Sequence, residues 1–240
     1  MKPRTLSGMT AKENRQMHIE PGIVTGAKMI LSYGTAAAAG TYTAKLVWDH
    51  IKAMDVARLA IGTAASTVLT FIFFQVLPHF PVGVSEVHFI LGSTLFLLFG
   101  AAPAGIGLAL GLLAQGVFFA PFDLPQYTIN VTTLLAPLYA MSLLARRIIP
   151  AGTRYADVSY GQALALSTAF QAGVVAWVAF WAFYGQGFSA TTLASVTSFG
   201  AAYMMVILIE PLADLAVLAG AKTLRDTSLA RLFTPRLFAA

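Results

Sequence analysis

A histidine placed directly after a free terminal amine can chelate a metal in a way no internal histidine can. Met17-His18-Ile19 offers that arrangement. If Met17 carries the amine, that nitrogen, the His18 backbone nitrogen and the His18 ring Nδ1 close two fused chelate rings on one ion. A fourth nitrogen would complete a square plane, which suits Ni(II) or Cu(II) and accommodates Co(II) less ideally. The amine and the amide must lose protons to bind, so affinity should rise with pH. The fourth ligand has to come from the same membrane face. His88, in Pro81-Val82-Gly83-Val84-Ser85-Glu86-Val87-His88, qualifies, and His79 competes with it. His88 ranks higher because polar groups inside membranes usually face a bundle interior or cavity. His79 sits in a proline-flanked loop, where it can simply be solvated, and His50 belongs to the opposite face.

The elements that must position these groups are helices in a bilayer. Of the 240 residues 58% are hydrophobic and only 10% are charged, against roughly 25% charged in soluble domains. The apolar runs have the length of helices that cross a ~30 Å hydrocarbon core. They lack the alternation of outer-membrane barrels. No cysteine is present, which removes disulfides, thiolate metal sites and thiol catalysis. The expected fold class is an all-α polytopic integral membrane bundle of about seven transmembrane helices, near 22–46, 56–77, 84–101, 103–120, 128–146, 158–184 and 190–212. Ala102-Pro103 suggests a tight hairpin between the third and fourth.

Charge orients the bundle. Lys45, Lys52 and Arg58 flank the first connection, Arg146, Arg147 and Arg154 follow the fifth helix, and Lys222, Arg225, Arg231 and Arg236 follow the seventh. Connections 78–84, 121–127 and 185–189 contain no Lys or Arg. By the positive-inside rule the chain enters its first helix from outside and ends in the cytoplasm. The formal charge of +5 therefore needs no nucleic-acid partner. Residues 1–16 break the pattern, since Lys2, Arg4, Lys12 and Arg15 would lie outside, and they lack the apolar core of a signal peptide. The expected organisation is a non-native or removed extension at 1–16, one metal-binding membrane domain at 17–220 and a basic cytoplasmic tail at 221–240. A real basic tail at 1–16 is the alternative.

Met17-His18-Ile19 followed by Gly22, Ser85-Glu86-Val87-His88 with Gly92, Leu112-Leu113-Ala114-Gln115-Gly116 and Ile129-Asn130-Val131 occur in that order. The set resembles the cobalt/nickel-specific substrate-binding subunits of energy-coupling-factor transporters, the CbiM/NikM group, over most of 17–150. Beyond that the likeness is in hydropathy alone. The resemblance implies metal ligation by the Met17 amine, the His18 amide and ring, and the His88 ring. Gln115 and Asn130 would be polar supports, and Ser85, Gln115 and Asn130 are candidates for orienting the metal-bound imidazoles. Their alternative role is ordinary interhelical hydrogen bonding. Glu86 and Val87 depart from the group's usual small residues. Ala120-Pro121-Phe122-Asp123-Leu124-Pro125 replaces its usual glycine-rich loop.

The leading function is the substrate-capture subunit of an ATP-driven importer of Ni2+ or Co2+ in a bacterial or archaeal cell membrane. No P-loop is present, so the subunit is expected to be non-catalytic and to carry no covalent cofactor. The resemblance implies a transmembrane coupling subunit, separate ATPases and a small accessory membrane subunit as partners. An autonomous secondary transporter or channel is the alternative, although neither paired intramembrane charges nor inverted repeats are evident. A hydrolase built on Ser85 and His88 lacks a recognisable oriented acid and oxyanion hole.

Several other residues carry expectations. Glu20, Glu86 and Asp123 are outer-face acids, either drawing cations or forming a solvated rim. Glu210 and Asp214 should snorkel or pair with Lys222. Trp177, Trp181 and Tyr184 read as an aromatic belt. Ala36–Gly40 and the Gly107/Gly111 pair are small-residue surfaces for close helix approach, within the bundle or against the coupling subunit.

Overall fold

In the computed structural model, residue 19 and residues 22–239 are described. Helices dominate: α1 (Met29–Ala53), α2 (Val56–Gln75), α3 (Gly92–Phe99), α4 (Ala101–Phe118), α5 (Tyr127–Ile148), α6 (Tyr160–Gln186), α7 (Ala190–Met204) and α8 (Glu210–Thr223). Between α2 and α3 lies an antiparallel hairpin of β1 (Phe80–Val82) and β2 (Ser85–Val87). Among the described residues, five helical stretches are long and apolar enough to cross a membrane: Val56–Gln75, Ala101–Phe118, Pro121–Ile148, Tyr160–Gln186 and Ala190–Thr223. The protein is a multi-pass, mostly helical membrane protein.

The ends of these helices have local causes. Asp55 caps α2 by accepting a 2.7 Å hydrogen bond from the Arg58 amide. Ser159 and Gln162 form a reciprocal capping box at the start of α6. Ser189 accepts from the Thr192 amide at the start of α7. These caps satisfy amides that a helix start otherwise leaves open.

The third expected helix, 84–101, does not form as one element. Its first part is strand and extended chain, because Val82, Val84 and Val87 favour extended backbone and Gly83 turns at φ +64°. The remaining α3 has eight residues, about 12 Å of helix, too short to cross the hydrocarbon. The reversal before α4 falls at Gly100 rather than at Ala102-Pro103. Pro103 instead sits in the first turn of α4, where its missing N–H costs nothing. The last expected helix also differs. A 3-10 turn at Met205–Leu208 separates α7 from α8, and Pro211 stands near the new start, a position it tolerates.

Two small-residue surfaces have different fates. A Cβ on Gly107 would lie 2.2 Å from Ser66 Cβ, and one on Gly111 would lie 2.6 Å from Thr70 Cβ. Those glycines therefore let α4 close on α2, inside the bundle. Ala37, Ala38 and Gly40 on α1 remain exposed.

Glu210 and Asp214 correct an expectation. Both are fully buried, and Lys222 pairs with Asp157 at 3.2 Å instead. The Ser93 hydroxyl lies 3.0 Å from Glu210 Oε1 and 2.6 Å from Asp214 Oδ2. Thr94 donates to Asp214, and Ser167 and the Gln171 amide donate to Glu210. The pair thus ties α8 to α3 and α6. Trp181 is also fully buried, so it belongs to the core rather than an interfacial belt. The segment after α8 packs back on the bundle: the Thr234 amide donates to the Leu98 carbonyl at 2.8 Å, Leu237 is buried and Phe233 stacks on Phe99.

Candidate metal centre

The hairpin builds one wall of the site. Gly83 sits at its tip, where an added Cβ would lie 2.0 Å from the Ser195 carbonyl oxygen. Both its positive φ and this contact with α7 require glycine. Extended backbone repeats every two residues, so Glu86 and His88 fall on one side of the chain. A helix would have pointed them apart. Their side chains meet at 3.3 Å, Glu86 Oε2 to His88 Nε2.

His88 is 2% exposed. Its ring packs against Phe74 at 4.8 Å and stacks on His79 at 5.2 Å, centroid to centroid. Burial pushes the His88 pKa down to about 3, so the ring is neutral at pH 7 and can offer a lone pair to a metal. Burial pushes the Glu86 carboxyl up to about 7, with His79 pulling the other way. Glu86 Oε2 has no hydrogen-bond partner among the described residues.

His88 opens on a cavity of about 30 Å³ shared with Ile19, Ser85, Glu86 and Asn130. That is room for a water or an ion. Asn130 Oδ1 accepts a long hydrogen bond of 3.4 Å from the Ile19 amide, tying the chain just after His18 to α5. A smaller cavity of about 10 Å³ adjoins it, lined by Gln115, Asp123 and Asn130 among others. The two share Leu112 and Asn130. The described residues expected at the site therefore gather: Ser85, His88 and Asn130 on the first cavity, and Gln115 with Asn130 on the second. Met17, His18 and Glu20 lie outside the described residues. His79 is half-buried and reaches the site by its stack on His88, while its Nδ1 lies 3.1 Å from the Leu77 carbonyl.

Three groups stand out that the motifs did not place. Asp123 and Glu86 form no solvated rim: they are 3% and 6% exposed. Glu86 comes to the His88 side through the strand period, and Asp123 through the 3-10 turn Pro121–Gln126, whose paired prolines were the available signal. Tyr203 from α7 lines the first cavity with a fully buried hydroxyl that has no partner among the described residues. Nothing in its local sequence marks it.

No group of three or more His, Cys, Asp or Glu capable of holding a metal occurs among the described residues. The described part of the site thus supplies one imidazole and two carboxylates around adjoining cavities.

A family model described as "Cobalt uptake substrate-specific transmembrane region" matches residues 18–227. No curated protein and no solved structure matches the chain.

Proposed function

Because the chain belongs to the family of cobalt-uptake substrate-specific transmembrane regions, we propose that it is the metal-capturing membrane subunit of an ATP-driven importer. It takes Co2+ or Ni2+ at the outer face of a bacterial or archaeal cell membrane. The donors are the Met17 amine, the His18 amide nitrogen and ring, and the His88 ring. The cation is cargo, and the subunit performs no chemistry on it. Energy comes from separate ATPases through a transmembrane coupling subunit, with a small accessory membrane subunit as a further partner. Release inward requires a second state that binds the metal more weakly, since a ligand shifts a conformational equilibrium only through differential affinity.

The observation that supports this reading is the position of Ile19. The residue that follows His18 lines the same cavity as His88, and its amide is held by Asn130. The proposed donors Met17 and His18 immediately precede it in the sequence. Ser85 and Asn130 stand at the same cavity and Gln115 at the next, where they can orient the imidazoles.

The test is the intact mass of membrane-purified protein, with bound metal quantified on the same sample. A chain that begins at Met17 and carries about one cobalt or nickel supports the amine–amide–imidazole chelate. A chain that keeps residues 1–16 and holds no metal removes it.

A further inference from the structure

Asp123 and Glu86 are buried carboxyl groups short of the hydrogen bonds that buried acids need, Glu86 having among the described residues only the 3.3 Å approach of its Oε2 to His88 Nε2. Both carboxylate oxygens of Asp123, and Oε2 of Glu86, lack any hydrogen-bond partner among the described residues. The ion pairs with Lys or Arg among the described residues are all made by other acids: Asp49, Asp55 and Asp157. Lys28 donates to the Gly185 carbonyl and lies over the Tyr184 ring. The two acids are within electrostatic reach of each other. They flank adjoining cavities that meet at Leu112 and Asn130.

We propose that Glu86 and Asp123 form an oxygen-donor station for the divalent cation, beside the nitrogen donors and continuous with them. The proposal rests on the reading that the metal is bound at His88. An amine, one deprotonated amide and two neutral imidazoles leave a divalent ion with a net positive charge in a water-poor site. A buried charge needs compensation, and these are the two acids at hand among the described residues. Carboxylate oxygens accept a partly hydrated cation more readily than a closed square of nitrogens does. The station therefore captures and strips the ion before the chelate closes, and neutralises it afterwards.

The experiment uses the full chain in detergent, with Co2+ or Ni2+ as the only ligand. Wild type, Glu86→Gln, Asp123→Asn, the double variant and His88→Ala are compared by calorimetric titration and by thermal unfolding with and without metal. The amide substitutions keep shape and remove charge. Each is expected to weaken metal binding about tenfold, within the range found for groups that support metal ligands. Each should also leave the metal-free protein at least as heat-stable as wild type, because an uncompensated buried carboxyl is gone. Loss of binding together with loss of metal-free stability would mean a folding role and would overturn the proposal. If His88→Ala abolishes binding while the double variant binds like wild type, the chelate reading stands and the oxygen station falls. If His88→Ala binds normally and the double variant does not, the acids hold the ion without His88, and both the His88 reading and the proposal that rests on it fall. Normal binding by both overturns both.

Discussion

The molecule buries two pairs of acids and treats them in opposite ways. Glu210 and Asp214 are wrapped in donors: Ser93, Thr94, Ser167 and Gln171 all reach them. Glu86 and Asp123 are also buried, though less deeply, yet they leave three oxygens with no hydrogen-bond partner among the described residues. A satisfied buried polar group holds elements together, whereas an unsatisfied one costs stability. On the proposal above, the fold recovers that cost when a cation arrives. The first pair is therefore a clasp that fixes the broken α7–α8 passage against α3 and α6, and the second is the pair proposed above as the cation station.

His88→Ala gives the largest expected separation between the two regions. It should lower Co2+ affinity roughly 100-fold or more, at least the upper range for groups that merely support ligands. Metal-free thermal stability should change far less. Equilibrium binding and unfolding on one preparation check both halves. A large stability loss with intact binding would put His88 with the clasp instead.

Ser93→Ala is the converse. Its hydroxyl stands between both acids of the clasp, and hydrogen bonds to charged or partly charged acids contribute about 1.5–3 kcal/mol each. Unfolding stability should drop by about 2 kcal/mol, with metal affinity unchanged while the protein stays folded. A variant that unfolds like wild type would show that the clasp is not structural.

The pH response sharpens the site half further. Glu86 titrates at about 7 in the fold, above its ordinary 4.5. Its contribution to stability is thus complete below 4.5 and is lost as pH rises through 7. His88 is lowered from 6.5 to about 3, so its contribution is lost as pH falls from 6.5 through 3. The two slopes oppose each other between 4.5 and 6.5. Glu86→Gln should leave metal-free stability rising with pH in that window, and His88→Gln should leave it falling. Identical profiles would remove both groups from the buried site.

How much of this was legible in the sequence depends on scale. The long apolar runs announced α2, α4, α5 and α6 to within a few residues, because twenty apolar residues have few other uses. The resemblance to the CbiM/NikM group pointed to His88, Ser85, Gln115 and Asn130, and the structure sets them on two adjoining cavities. The hairpin was missed because the apolar residues from Phe89 to Phe99 drew 84–101 into one helix, although Ser85, Glu86 and His88 interrupt its start and Gly83 between β-branched residues hints at extended chain. That miss hid the Glu86–His88 juxtaposition, which depends on a two-residue period. Glu210 and Asp214 were misplaced for a related reason. Their donors lie about 40 to 120 positions away in sequence, so no local pattern could show that they are satisfied. Gly107 and Gly111 were visible as a close-approach motif, but only packing revealed α2 as the partner.

Asp157 offers the smallest effect and a control for the comparison, because it is a satisfied acid in solvent. Its carboxylate accepts from Arg154 and lies 3.2 Å from Lys222, and those two hydrogen bonds hold its pKa below the ordinary 3.8. The pairing links the end of α8 to the turn before α6, as the clasp links its start to α3. Exposure and salt screening weaken such pairs. Asp157→Asn should therefore destabilise the protein at pH 7 by clearly less than Ser93→Ala does. The difference from wild type should fade as pH falls through the lowered Asp157 pKa, since a depressed acid contributes only above that window. It should also shrink in high salt, whereas the Ser93→Ala deficit should not, because ions do not reach the clasp. If both deficits respond equally to salt, the clasp is open to solvent, and burial no longer distinguishes the acids that hold the fold from those that wait for a cation.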